Sequence, residues 1–135
     1  MARRLILDTS LIIAADRQQL RLNSVIGDDD PAISAFTAME LLAGVDRASP
    51  MQRDVIALNA EAWLAVLPIV NYTIKVARAH AYLMTHTKRE GLPRGSADLV
   101  IAATASATGR TLLTADAKAD FAKLPGVRAE VVKIS

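Results

Sequence analysis

The sequence predicts an α/β fold, with residues 1–135 forming a single domain of three layers, α/β/α, around a mainly parallel central sheet. Short apolar segments alternate with helical patterns along the chain of 135 residues. Several of these segments are uninterrupted apolar runs, which is typical of strands covered by helices on both faces. Apolar residues make up 52% of the chain, which is enough for one sizeable core, whereas two domains would be cramped at this length.

The first half of the chain contains two strand–helix units followed by a third helix. The predicted elements are strand 3–9, helix 10–20, strand 32–36, helix 37–48 and helix 50–67. Between the two units, "GDDDP" is an exposed turn rather than a calcium site, because the ligand spacing of a calcium loop is missing. Trp63 lies inside the third helix, where we expect it to join the core or a subunit interface.

The second half of the chain continues the alternation. The predicted elements are extended segment 68–70, helix 72–90, helix 96–109, strand 110–114, short helix 115–124 and strand 128–134. The segment "GLPRG" ends the long helix with Gly and Pro, and Gly109 suits the C-terminal cap of the next helix. One stripe of the long helix is expected to pack on the core: Ile74, Ala77, Ala81 and Met84.

Composition excludes several kinds of site. The chain has no cysteine, so disulfides and thiolate metal sites are excluded, and any metal ligand must be oxygen or histidine. His80 leans toward the apolar face of the long helix, and His86 cannot share a helix face with it, which excludes an HExxH-type site. Asp8 interrupts the apolar run near the start, and no apolar run reaches spanning length, so we expect a soluble cytoplasmic protein without a membrane partner.

Four acidic residues lie where predicted helices begin. Asp8 ends the first strand, and Asp116 follows the strand "TLLT" in the same way, so both could be N-caps. Glu40 lies in the first turn of its predicted helix, where Thr37 and Glu40 match a capping box. Asp98 lies in the first turn of the next-to-last helix, where it suits the helix dipole. Taken singly, each acid therefore has an ordinary structural explanation.

Taken together, the four acids indicate a metal site. In a parallel sheet the helix starts share one edge, so Asp8, Glu40, Asp98 and Asp116 should converge there. Carboxylates a few ångströms apart repel one another and raise one another's pKa, and a bound cation relieves that repulsion. Oxygen ligands without cysteine favour Mg²⁺ or Mn²⁺, ions that activate water and neutralise charge on a phosphodiester.

The distribution of positive charge favours a polyanionic partner. The net charge is only +2, but leaving the four acids out of the 14 leaves 10 acidic residues against 16 basic ones. On the long helix one face follows a 3-4-3-4 spacing and carries Lys75, Arg78, Tyr82, Thr85 and Arg89. This face could be a cationic wall beside the acids, with Tyr82 stacking on a base, or simply a solvated helix face.

In four segments the chain resembles PIN-domain ribonucleases, and in particular the VapC-type toxins of toxin–antitoxin pairs. The segments are "LILDTSLII", "AMELLAG", "GSADLVIAATA" and "LLTADAKADFAKLPGV". They occur in the family's order and at about its usual separations, and the likeness covers nearly the whole chain. Each motif is loose by itself, whereas the ordered set of four is specific.

The resemblance implies an Mg²⁺- or Mn²⁺-dependent endoribonuclease with a PIN-like fold. It places four acids around the metal, Asp8, Glu40, Asp98 and Asp116, and small hydroxyl residues beside them, Thr9, Ser10 and Thr114, which orient ligands or phosphate. It also implies a homodimer and a cognate antitoxin that lays a segment over the acidic groove, sometimes with a basic side chain.

One position of the likeness is ambiguous. The segment "TADAKADF" is longer between its first aspartate and the phenylalanine than a common spelling in the family. Asp120 is therefore a rival for the fourth acidic position. Asp116 is preferred because it follows the strand directly, as Asp8 does.

Taken with the resemblance, these residues predict metal-assisted hydrolysis or in-line cleavage of single-stranded RNA. Asp8, Asp98 and Asp116 would hold the ion, with Glu40 as a further ligand or as the base that positions water. The strand would be positioned through its phosphates by Lys75, Arg78, Tyr82, Arg89 and Arg94.

Other functions fit the residues less well. A response-regulator receiver needs an adjacent acidic pair after the first strand, and a haloacid-dehalogenase-type phosphatase needs D-x-D, where this chain has Ser10. The main alternative is a non-catalytic RNA- or protein-binding module of the same fold, whose acidic cluster binds a metal or an antitoxin.

Overall fold

The computed structural model describes residues 2–92 and 94–134, and it contains a five-stranded sheet between two layers of helices. The strands are β1 (Arg4–Leu7), β2 (Asp30–Ser34), β3 (Ile69–Val70), β4 (Thr111–Thr114) and β5 (Ala129–Val131). The helices are α1 (Thr9–Asp16), α2 (Leu22–Ile26), α3 (Ala35–Arg47), α4 (Arg53–Val66), α5 (Ile74–Arg89) and α6 (Ser96–Ala107). The strand order is β3-β2-β1-β4-β5 and the neighbouring strands pair in parallel, so the predicted α/β/α architecture is confirmed. Across the described residues, no helix combines the length and apolarity that a membrane span requires.

The sheet is buried on both faces because apolar side chains alternate between two cores. Ile6 and Leu112 belong to the core that α5 and α6 cover, together with Phe121. Leu7 and Leu113 belong to the opposite core, which packs against α1, α2, α3 and α4. Continuous apolar runs are required under these conditions, since every second residue faces the other helical layer.

The helix that carries Glu40 begins two residues earlier than predicted. β2 ends at Ser34, and α3 starts at Ala35 without an intervening loop. The N-cap is Ser34, whose Oγ accepts a hydrogen bond of 3.0 Å from the backbone N–H of Thr37. The predicted capping box is therefore wrong: Thr37 is the buried third residue of the helix, and Glu40 lies in its second turn.

Two further boundaries differ near the first helix. α1 ends at Asp16, and the left-handed backbone of Gln18, with a φ of 60°, turns the chain toward α2, which the sequence did not predict. The indole Nε1 of Trp63 donates a hydrogen bond of 2.8 Å to Asp16 Oδ1, and the half-buried ring packs on the core. Trp63 thus packs on the core, which is one of the two positions expected for it.

The stripe predicted for the core side of α5 is wrong. None of its members, Ile74, Ala77, Ala81 and Met84, is buried. The buried residues of α5 are Val76, Leu83 and Thr87. The Thr87 hydroxyl donates to the carbonyl of Leu83 at 3.0 Å, which satisfies a polar group in the core. Because one of the buried residues is a threonine, the pattern of apolar residues in the sequence did not indicate this face.

Replacing Ser34 with alanine should lower the free energy of unfolding by about 1 kcal/mol, because it removes the N-cap of α3. Urea denaturation followed by circular dichroism would measure the change. Ser96→Ala is the matched control, because Ser96 is exposed and does not cap α6. Equal midpoints for the two variants would contradict the capping role.

Candidate active site

The predicted acids lie at the carboxyl edge of the three central strands. Asp8 follows β1 directly, Asp116 follows β4 after one residue, and Glu40 lies in the helix that begins where β2 ends. The strand order β2-β1-β4 places these segments side by side. Asp98 lies in the first turn of α6, which covers one face of the same strands.

Asp8 is the most buried of the four acids, with 6% of its surface exposed. Its Oδ2 accepts two hydrogen bonds of 2.7 Å, one from Ser10 Oγ and one from Thr114 Oγ1. Although Asp8 is the N-cap residue of α1 by position, its side chain accepts no capping hydrogen bond. Within the described ranges its Oδ1 also accepts no hydrogen bond, so one carboxylate oxygen is available to a ligand.

Hydroxyl groups join the start of α1 to the end of β4. Ser10 Oγ accepts a hydrogen bond of 3.0 Å from the Ala115 N–H, and Thr114 Oγ1 accepts one of 2.9 Å from the Asp116 N–H. The Asp116 side chain is exposed, and its Oδ1 accepts from the Lys118 N–H at 3.0 Å. The capping explanation considered for this acid is therefore satisfied, while its other carboxylate oxygen has no capping role.

Glu40 is held by hydroxyl groups in the same way. Thr9 Oγ1 donates to Glu40 Oε1 at 2.6 Å and lies 3.0 Å from Thr37 Oγ1. Thr37 was missed as part of the site, because its position three residues before Glu40 was interpreted as a capping box. The signal was present in the sequence, since a buried helical threonine near a carboxylate is available to orient it.

The pKa of Asp98 shows that the other acids lie near enough to interact with it. Burial raises the pKa of Asp98 above the ordinary aspartate value of 3.8. The negative charges of Asp8 and Asp116 raise that pKa further, and the Arg94 cation lowers it. The charge of Glu40 also raises the pKa of Asp98, so each of the other three acids acts on Asp98.

The four carboxylates lie at one edge of the sheet, but they do not form a complete set of metal ligands. Among residues 2–92 and 94–134, no three acidic or histidine side chains are arranged to hold a metal ion. The donor set still fits Mg²⁺ or Mn²⁺, since its oxygens are hard ligands and such ions keep several waters while binding one or two carboxylates. The repulsion that raises the pKa of Asp98 is offset only in part by Arg94, and a bound cation would relieve it further.

Asp120 is not among the charges that shift the pKa of Asp98. Residues 115–124 form two 3-10 turns, Ala117–Ala119 and Phe121–Lys123, instead of the predicted short helix. Asp120 lies between them with a left-handed φ of 48°, and its Oδ2 contacts Lys123 Nζ at 3.2 Å. This geometry supports Asp116 over Asp120 as the fourth acid of the site.

Part of the basic face of α5 lies away from the carboxylates. Its predicted members Lys75, Arg78, Tyr82, Thr85 and Arg89 are all exposed. Arg78 and Tyr82 line a pocket with Ser106, at the far end of α6. Ser106 is eight residues after Asp98, which corresponds to about 12 Å along a helix axis. The structure therefore places this part of the face away from the acids.

Arg94 lies close to the acids but is already engaged. Its guanidinium donates hydrogen bonds to the carbonyl oxygens of Ala119 and Asp120, the latter at 2.9 Å. Its charge also lowers the pKa of Asp98. Arg94 therefore holds the segment after β4 in place and partly balances the acidic cluster.

A groove opens beside Glu40 on the opposite side of the sheet from α6. It has a volume of about 330 Å³ and lies between α1, α3 and α4. Its lining includes Thr9 and Glu40 at one end and the cations Arg17 and Arg47. Thr9 and Glu40 connect the groove to the acidic edge of the sheet.

Comparisons with known proteins agree with this geometry. Residues 5–127 match the PIN domain family. The chain is 30% identical over 132 residues to a protein of Rickettsia felis named ribonuclease VapC1, and the match covers 97% of this chain and 96% of that protein.

Solved structures show the same fold. A crystal structure of VapBC2 from Rickettsia felis, bound to a DNA fragment from its promoter, superposes with a TM-score of 0.86 at 24% identity, covering 96% of this chain and 99% of that chain. A crystal structure of VapBC-5 from Mycobacterium tuberculosis, a member of the VapBC family of toxin–antitoxin systems, superposes with a TM-score of 0.76 at 30% identity, covering 96% and 98%. With a family match over residues 5–127 and acids placed at the carboxyl edge of a parallel sheet, this chain belongs to the PIN domain family, among the VapC ribonucleases.

Proposed function

We propose that this protein is a metal-dependent endoribonuclease that cleaves single-stranded RNA and acts as the toxin of a toxin–antitoxin pair. The observation that carries the proposal is the convergence of Asp8, Glu40 and Asp116 on Asp98, at the edge of the sheet where ligands bind in α/β folds. The 30% identical relative named a ribonuclease supports the reaction class. We place the protein in the cytoplasm, where RNA is available.

We assign the metal to the open carboxylate oxygens of the site. A bound Mg²⁺ or Mn²⁺ would stabilise charge on the scissile phosphate and lower the pKa of the attacking water. Asp8 offers its Oδ1 while two hydroxyls fix its Oδ2, and Asp98 offers a carboxylate without a hydrogen bond among the described residues. Asp116 Oδ1 accepts a hydrogen bond from the backbone of Lys118, and its Oδ2 would be the oxygen that binds the metal.

Glu40 has a separate role as the residue that positions water. Thr9 holds its Oε1, which leaves Oε2 to accept a hydrogen bond from a water near the phosphate. The half-buried position restricts the carboxylate to few rotamers, so the water would be held in a constant direction.

An antitoxin segment would fit the groove beside Glu40. The VapBC-5 structure, at 30% identity, is a toxin–antitoxin system, and its similarity covers nearly the whole chain. The groove is partly apolar, through Ile13 and Leu41, and it leads to Glu40. A basic side chain entering from this groove would neutralise the acids and exclude the metal, which would account for inhibition.

We further propose a homodimer formed along the β3 edge. β3 is the outermost described strand on its side of the sheet. Four large apolar side chains around it are exposed: Val66, Ile69, Tyr72 and Ile74. An exposed apolar edge strand is a site where a second chain docks.

Replacing Asp8 with asparagine should reduce RNA cleavage by about 1,000-fold, because several kcal/mol of transition-state stabilisation would be lost with the metal ligand. The measurement is cleavage of single-stranded RNA with Mg²⁺, Mn²⁺ or EDTA. Asp28→Asn is the matched control, since Asp28 is an exposed loop carboxylate far from the site in sequence. Full activity in Asp8→Asn would refute the assigned site.

The same experiment separates the nuclease from the non-catalytic module. If neither ion produces cleavage in the wild type while both raise the melting temperature, the cluster binds a metal without catalysis. Cleavage in Mg²⁺ or Mn²⁺ that disappears in EDTA supports the nuclease.

Replacing Asp98 with asparagine should raise the melting temperature in EDTA at neutral pH, because it removes a carboxylate whose charged form the fold disfavours. The folded protein has the higher Asp98 pKa, so ionisation of Asp98 destabilises the fold as the pH rises above 3.8. The advantage of the variant should therefore be full at neutral pH and vanish below pH 3.8, where Asp98 is protonated in both states. Thermal unfolding from pH 3 to 8 would show this, with Asp28→Asn as the control for lost charge.

Replacing Ile74 with aspartate should convert the dimer to a monomer, because the charge would be buried in the proposed interface. Light scattering after size exclusion would measure the mass of each variant. Val131→Asp is the control, since Val131 is exposed on β5 at the opposite edge of the sheet. A wild type with the mass of a single chain, or a variant Ile74→Asp that stays dimeric, would contradict the proposed interface.

A further inference from the structure

A second depression, the lysine cleft, adjoins the acidic cluster on the side opposite the Glu40 groove. It has a volume of about 400 Å³ and lies between the segment before α6 and the two 3-10 turns after β4. Its lining includes the cations Arg94, Lys118 and Lys123, together with the acids Asp98 and Asp120. The cleft therefore combines three cations with two acids, of which Asp98 belongs to the proposed catalytic cluster.

The backbone of the cleft is fixed by a long-range contact. Arg94 donates to the carbonyl oxygens of Ala119 and Asp120, two consecutive residues of the turn. Asp120 has a left-handed backbone, which costs aspartate more than glycine although less than most other residues, and the contact with Arg94 stabilises the turn. Lys118 and Lys123 lie on either side of Asp120, so Arg94 sets their positions.

The two lysines are available to an anion, whereas Arg94 is not. Lys118 is exposed and forms no ion pair within the described part of the chain. Lys123 is 75% exposed in its side chain and pairs with Asp120 at 3.2 Å. An ion pair this exposed contributes little to stability, so a phosphate can replace Asp120 as the partner of Lys123 at low cost.

We propose that the lysine cleft binds a phosphate of the RNA strand next to the phosphate that is cleaved. A phosphodiester approaching Asp98 is repelled by four carboxylates, and cations in the same cleft offset that repulsion. Because β1 lies between β2 and β4, the cleft and the Glu40 groove flank Asp8 on its two sides. The RNA strand would thus cross the sheet edge from the groove, over Asp8, into the cleft. Lys118 and Lys123 are positioning residues for the substrate, and the inference rests on the proposed ribonuclease function.

The test measures binding and cleavage separately. Binding of a fluorescent single-stranded oligoribonucleotide is followed by anisotropy in an Asp8→Asn background, where the strand stays intact. Lys118→Ala and Lys123→Ala should each raise the Kd about fivefold and lower the slope of log Kd against log salt by about 0.7. In the wild-type background each should raise KM with little change in kcat, because the contact forms equally in the ground and transition states. Lys88→Ala, an exposed lysine of α5 outside the cleft, is the matched control.

The outcomes distinguish this inference from the proposed function. If the wild type cleaves RNA and both lysine variants match Lys88→Ala in Kd, salt slope and KM, the cleft does not bind RNA although the nuclease stands. If the wild type does not cleave RNA but the lysine variants weaken binding as expected, the cleft stands and the catalytic proposal fails. Unchanged melting temperatures for the variants would show that the loss of affinity is not a loss of folding.

Discussion

The arrangement of the site depends on the hydrogen bonds that hold the Asp8 carboxylate between two strands. Ser10 and Thr114 donate to the same oxygen, and the Asp8 N–H donates to the Leu113 carbonyl at 2.8 Å. Residues 106 positions apart in the chain are thereby joined at one carboxylate. A buried carboxylate needs such donors, and because both bind Oδ2, its second oxygen accepts no hydrogen bond among the described residues.

The acids are costly to the fold unless something offsets their charge. Burial and three neighbouring carboxylates raise the pKa of Asp98, and the described contacts bring only one cation, Arg94, into effect on it. Arg94 donates its hydrogen bonds to the carbonyl oxygens of the turn after β4. It therefore affects Asp98 through its charge and not through a hydrogen bond. The protein keeps a destabilising cluster at its sheet edge, which is expected of a functional site and unexpected of a structural one.

The sequence was sufficient to predict the parallel sheet and the edge at which the four acids lie. Uninterrupted apolar runs predict buried parallel strands, and once these are parallel, acids that follow them must share an edge. The start of α3 was misjudged because β2 and α3 share no loop, so Ser34 ends the strand and caps the helix at once. The core face of α5 was misjudged because Thr87 is buried with its hydroxyl bonded to its own helix. Both errors arise from polar residues satisfied locally, which hydrophobic periodicity does not register.

The segment after β4 shows a different limit of sequence reasoning. Its alanine-rich sequence favours a helix, yet Asp120 adopts a left-handed backbone, and Arg94, 26 positions earlier, donates hydrogen bonds to the carbonyl oxygens of the turn. No local pattern predicts so distant a contact, and the two lysines escaped notice for the same reason. Asp8 is fixed at the end of a buried strand, whereas Lys118 and Lys123 lie on an exposed turn. Asp116 links the two, since its Oδ1 accepts a hydrogen bond from the Lys118 N–H. A change of the two lysine side chains leaves this backbone contact in place, so the charge of the turn can vary without disturbing the carboxylates.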